Sequence, residues 1–135
     1  MSDDSILAFM QRYCRAFRPG NASAMPAFFH FPASLMASGL RLTLNSPEEL
    51  VQMLSVSLDD LAAAGFAHSE IQAIHVHELA EDIALVSARY HRLRADDSVL
   101  EEIAASYTLC RESEGDWGIV AIITHDPSRG IANSS

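Results

Sequence analysis

The hydrophobic period of this chain changes lastingly at Gly65. Before it, one short hairpin apart, apolar residues recur at helical spacing. After it, they alternate with a period of two over four successive runs. Helices first and strands afterwards, without the strand–helix alternation of a parallel sheet, confine the chain to an α+β arrangement with helices packed on one face of one sheet.

The helical half is punctuated clearly. In "SDDSILAFMQRYCRAF", Ile6, Met10, Tyr13 and Phe17 fall on one stripe, with Phe9 beside it. Ser2 is placed to cap this helix, Asp3 and Asp4 suit the positive end of its dipole, and Arg18-Pro19-Gly20 stops it. A short second helix is expected over 23–30, capped by Ser23, with Pro26 in its first turn and Pro32 closing the segment. His30 then falls in the last helical turn, where free carbonyls and the dipole favour a cation. "SLMASGLRLTL" reads as a small hairpin around Ser38-Gly39. Ser46-Pro47-Glu48-Glu49 is a capping box with proline at the first helical position, and Leu50, Leu54, Leu58 and Leu61 carry that helix to Gly65.

The strand half is "EIQAIHVHEL", "DIALVSARYHRL", "LEEIAASYTLCR" and "WGIVAIITH". Taking "ADDS" as the first turn sets Arg94 opposite Val99, Arg92 opposite Glu101, Tyr90 opposite Ile103, Ala88 opposite Ala105 and Val86 opposite Tyr107. Taking "ESEGD" as the next loop sets Arg111 opposite Trp117, Leu109 opposite Ile119, Tyr107 opposite Ala121 and Ala105 opposite Ile123, with His125 at the far end. This face is mostly apolar and is assigned to the helices; its polar exceptions are Tyr90, Tyr107, His125 and the Arg92/Glu101 pair. The other face carries Ser87, Arg89, His91, Glu102, Ser106, Thr108, Val120, Ile122 and Thr124. It is too apolar around Val120 and Ile122 for plain solvent, so a homodimer through it is expected.

Composition removes several classes of function. At 135 residues the chain fits one domain, 1–127, followed by a flexible tail, 128–135. A net charge of −9 argues against nucleic acid and anionic membrane as partners. The N-terminus is acidic where a signal peptide is basic, and no apolar run approaches the ~20 residues of a membrane span. Cys14 and Cys110 read as two separate reduced thiols of a cytoplasmic protein. His75-x-His77 puts two imidazoles on one strand face, but spacing dictates no third ligand, so no metal is expected. Glycine-rich phosphate loops and the serine-hydrolase elbow do not occur, and no cofactor is expected.

With this order of elements, "FFHFP", "EDIALVSARYHRL", "ASYTLCRE" and "GDWGIVAIITHDP" resemble segments of the nuclear transport factor 2-like superfamily. That is the curved-sheet cone also seen in polyketide cyclase-like and ketosteroid isomerase-like proteins. The resemblance covers about residues 3–127 and is closest to small bacterial members without an assigned function. It implies a curved antiparallel sheet wrapped around the N-terminal helices, a pocket between helices and concave face, and often a dimer through the other face. It also implies that any chemistry uses a few polar groups in an apolar cone: an acid as proton shuttle, or tyrosines and histidines around a water. The expected inner face has no deep acid, so an isomerase-type carboxylate has no counterpart. Tyr90, Tyr107, His30 and His125 remain for a dehydratase-like arrangement, and with Tyr13 and Trp117 they are the pocket candidates. Two functions stay open. One is a lyase- or isomerase-type enzyme acting on a compact, largely apolar molecule. The other is a non-catalytic binding or dimerisation module whose cone is filled by side chains such as Trp117, Phe29 and Tyr13.

Overall fold

The structure, a computed structural model, describes residues 2–112 and 115–129, with Ser2 and Asp3 described by backbone alone. The side-chain cap expected from Ser2, the dipole placement of Asp3 and most of the expected tail, 130–135, therefore lie outside the described residues. Ser128 and Arg129 close a short 3-10 turn, Pro127–Arg129.

Helix α1 spans Ser2–Ala16 and buries its apolar stripe: Ile6 and Met10 fully, Phe9 and Tyr13 nearly so. A 3-10 helix, Ala22–Phe28, follows, and strands β1 (Phe29–Ala37) and β2 (Leu40–Leu44) form the expected hairpin. Its turn carries Gly39 at φ +79°, a conformation glycine adopts without steric penalty. Helix α2 spans Pro47–Ala63. Its Ser46 cap accepts from the Glu49 N–H at 3.3 Å, while the Glu49 carboxylate accepts from the Asn45 N–H at 2.8 Å, one residue earlier than a capping box requires. Gly65 at φ +108° ends it. Four strands complete the chain: β3 (His68–Ala80), β4 (Ile83–Leu93), β5 (Val99–Cys110) and β6 (Gly118–His125). The six strands form one sheet in the order β2-β1-β6-β5-β4-β3, antiparallel throughout except for the parallel pair β1–β6. The α+β class is as the sequence reads, while the single parallel contact is not visible in it.

Three local expectations are corrected. The segment 23–30 is not a helix to its end. The 3-10 helix stops at Phe28, Asn21 rather than Ser23 occupies its N-cap position, and Pro26 lies in its interior. His30 is therefore the second residue of β1, not a last-turn helix residue, and Pro32 sits within the strand, where the β1–β6 register shifts between Phe29 and Ser34. At the β4–β5 end, Leu93 rather than Arg94 pairs with Val99, because Leu100 is an extra residue on β5. The inner pairs from Arg92–Glu101 to Val86–Tyr107 are as expected.

The third correction changes the site. Leu109 faces Ile119, but Thr108 faces Ala121, so Val120 is a bulge residue. Beyond it the sides of β6 exchange. Tyr107 pairs with Ile122 instead of Ala121, and Ala105 with Thr124 instead of Ile123. Ile122 and Thr124 turn inward, whereas Ile123 and His125 turn to the outer face.

Candidate functional site

Between α1, α2 and the inner sheet face lies a cavity of about 230 Å³. Each wall follows from local sequence. Helix α1 presents Tyr13 and Cys14, and Phe17 follows just past its end. Helix α2 presents Leu50, Met53, Leu54 and Ser57, one stripe at i, i+3, i+4 and i+7. Strand alternation supplies Tyr90 and Arg92 from β4, Ile103, Ala105 and Tyr107 from β5, and Ile122 and Thr124 from β6. Ala88 faces Ala105 across β4 and β5, so two methyl groups stand at mid-sheet where larger side chains would close the space.

Three phenols gather there. The Tyr90 and Tyr107 hydroxyls lie 2.8 Å apart, a buried hydrogen bond, and the Tyr13 ring meets the Tyr107 ring edge-on at 5.7 Å. Burial, reinforced by mutual repulsion, pushes the Tyr13 and Tyr107 hydroxyls well above the usual phenol range. Burial also raises Tyr90, although its bond to Tyr107 works in the opposite direction. All three are therefore neutral donors at physiological pH. Cys14, its thiol pointing at the Ser69 carbonyl at 3.5 Å, is pushed up to about 11 by burial, so it is present as the thiol rather than the thiolate.

Arg92 supplies the charge. Its guanidinium lies over the Phe17 and Phe66 rings at 5.9 and 5.7 Å, and Nη1 donates to Glu101 at 2.9 Å. Its Nε is buried without a hydrogen-bond partner.

Of the six pocket candidates, the cavity brings together Tyr13, Tyr90 and Tyr107 and leaves out His30, His125 and Trp117. His30 lies against Gly118, with Nε2 3.1 Å from the Asp116 carbonyl. Trp117 is buried under the Arg111 guanidinium, 4.5 Å above its ring, and borders a separate crevice with Phe28 and Arg12. His125 joins the outer face, where Nδ1 lies 2.9 Å from the Asp126 carbonyl and Nε2 lies 2.8 Å from Ser106 Oγ. A carbonyl only accepts, so Nδ1 donates to Asp126 and Nε2 is left to accept the serine proton, the geometry of an activated hydroxyl. Ser106, however, is mid-strand between two neighbours, where ladder bonds occupy the backbone N–H groups that an oxyanion would need. Sequence reasoning missed Arg92, Cys14 and Thr124 as lining residues. For Arg92 the signal was present, since it shares the parity of Tyr90. For Thr124 it was concealed by the bulge.

Among the described residues, no group of three or more histidines, cysteines or acids is placed to hold a metal ion, and no helix is long and apolar enough to cross a membrane.

Several solved structures share this architecture at low identity, which is a likeness of fold alone. An NTF-2-like protein of unknown function from Shewanella oneidensis is 16% identical, with 93% of this chain and 100% of that one aligned at a TM-score of 0.73. An NTF2-like protein with a cystatin-like fold from Novosphingobium aromaticivorans is 18% identical, with 97% and 85% aligned at 0.71. A protein from Catenulispora acidiphila, solved in complex with S-DNPA, is 12% identical, with 90% of each chain aligned at 0.69. No curated protein matches the sequence. The family model described as NTF2-like protein (DUF6841) matches residues 3–127, nearly the whole chain, and the protein belongs to that family.

Proposed function

We propose that this protein binds a small, largely apolar molecule carrying one hydrogen-bond-accepting oxygen, inside the cavity between the helices and the sheet. The observation that carries the reading is the buried Tyr90–Tyr107 pair lining a largely apolar space of about 230 Å³. Two phenols bonded to each other use one proton between them, which leaves the second for a ligand oxygen. An apolar cavity of about 150 Å³ takes a benzene molecule, so this one has room for a substituted ring. The Catenulispora neighbour in complex with S-DNPA supports the idea that this fold accommodates an organic ligand.

Binding is favoured over turnover by the donor character of the lining. The described lining residues include no Asp, Glu or His to take a proton at neutral pH, and Cys14 keeps its own. A lyase or isomerase built here would work by electrophilic assistance, with a phenol stabilising oxygen as it gains charge. On the outer face, Ile83 and Ile123, 37% and 43% exposed, support association of two copies through that face. Two unbridged thiols suit a reducing compartment, and the cytoplasm is the proposed location.

Thermal denaturation with cyclic and aryl ketones tests the reading. A ligand at 100 times its Kd adds about 2.7 kcal/mol, a shift of several degrees. Ala105→Leu should fill the cavity and abolish the shift. Tyr107→Phe should weaken it, while the orphaned Tyr90 hydroxyl costs about 1–3 kcal/mol of stability. If no ketone stabilises the wild type and Ala105→Leu lowers Tm, as overpacking of a filled core does, the space is ordinary core and the proposal falls.

A further inference from the structure

We infer that the ligand is an organic monoanion, its carboxylate seated against Arg92 and its apolar body in the cavity. This rests on the binding reading above and names the class of molecule. Arg92 is the only permanently charged residue among those described as lining the cavity. Its surroundings hold it in place: the guanidinium lies over two adjoining aromatic rings and the side chain is 18% exposed.

Glu101 does not cancel it. The carboxylate meets one terminal nitrogen from the solvent side, with 44% of its side chain exposed. The pair is thus a dipole with its positive end turned inward. Water screens the negative end far more than the positive one. Nε, buried and without a partner, leaves the guanidinium short of an acceptor. The positive charge also reaches the phenols, favouring the ionised form of Tyr13 and Tyr107 against their burial.

The rest of the lining agrees in polarity. Phenols, thiol and guanidinium all donate, and nothing acidic opposes an incoming anion. One guanidinium with neutral donors matches a carboxylate; a phosphate dianion would be left with one of its two charges uncompensated. Because the chain as a whole carries −9, affinity for an anion must come from this local site and not from a general positive field.

The experiment compares acids with their uncharged amides by titration calorimetry at neutral pH: benzoate against benzamide, and cyclohexanecarboxylate against cyclohexanecarboxamide. Each acid should bind about 10-fold or more tightly than its amide, as a charge-assisted hydrogen bond predicts. Arg92→Met, which keeps an apolar stem against the two rings, should erase that preference while leaving amide binding in place. Glu101→Gln should tighten the acids and leave the amides unchanged. Equal binding of acid and amide by the wild type, or a preference that survives Arg92→Met, overturns this inference and leaves the cavity reading standing. If neither class binds, the cavity reading itself fails and takes this one with it. Should Arg92→Met not fold, the wild-type comparison and Glu101→Gln still decide.

Discussion

A β-carbon on Gly118 would collide with His30 at Cδ2 and Cγ, so this glycine exists to admit a ring. Its φ is not positive, and alanine is compatible with its backbone. The constraint is purely the neighbour. His30 in turn is held by the Asp116 carbonyl at 3.1 Å, so it ties the start of β1 to the approach to β6 along the parallel pair. Gly118→Ala should therefore displace the imidazole, break that bond and destabilise the protein by about 1–3 kcal/mol. His30→Ala alone should cost about 0.5–1.5 kcal/mol, the usual net value of one hydrogen bond. In the double variant, the added methyl group enters the space the ring has left. The combined loss measured by urea denaturation should fall short of the sum by about 1 kcal/mol or more. Additive losses would mean that ring and glycine are not coupled. The strand placement of His30 was legible in retrospect. Phe29-His30-Phe31 alternates apolar, polar, apolar, and the two phenylalanine rings stack on one side at 6.1 Å.

At the scale of the element, β6 explains why part of the site could be read from sequence and part could not. On β4 and β5 the two parities differ in chemistry: Ala84, Val86, Ala88 and Tyr90 are buried, while Arg89 and His91 are half-exposed. A register error there would bury charge, so pattern alone fixes the face and the Tyr90–Tyr107 meeting follows from it. In β6 the run Ile119-Val120-Ala121-Ile122-Ile123 is apolar at both parities. Either face satisfies the hydrophobic pattern, and a bulge at Val120 leaves no mark in it. The decision belongs to the fold. Ile122 completes the wall beside Tyr107, and Ile123 is left 43% exposed opposite Ser106. Thiol labelling measures this directly. In a Cys110→Ser background, and at a dilution that separates two copies of the chain, Ile123→Cys should react with a maleimide at a rate near that of an unfolded control, and Ile122→Cys, 9% exposed, should react at least about 10-fold more slowly. The reverse order would restore the unbulged register and return His125 to the inner face.

For the whole molecule, the phenol cluster makes the fold an alkaline-labile one, with a sign fixed by its protons. Tyr13, Tyr90 and Tyr107 are raised by burial, and Cys14 is raised from 9.0 to about 11. Below pH ~9 both folded and unfolded chains hold these protons, and the groups give no pH dependence. Above it the unfolded chain releases the Cys14 proton, and above pH ~10 the phenolic protons, while the folded chain retains them. Stability then falls by up to about 1.4 kcal/mol per pH unit for each such group. Partly buried Cys110, also raised, acts in the same direction. The urea midpoint should be level to about pH 8.5, decline from about pH 9 and steepen beyond about pH 10. Cys14→Ala should delay the first decline. The chain has only three tyrosines, all of them in this cluster, so tyrosinate absorbance reports on the cavity and nothing else. That signal should rise together with the loss of far-ultraviolet circular dichroism, as one cooperative event. A gradual rise centred near pH 10 with the dichroism intact would mean that hydroxide reaches the phenols in the native state. The three tyrosines would then stand in water rather than in the apolar enclosure on which the binding proposal depends.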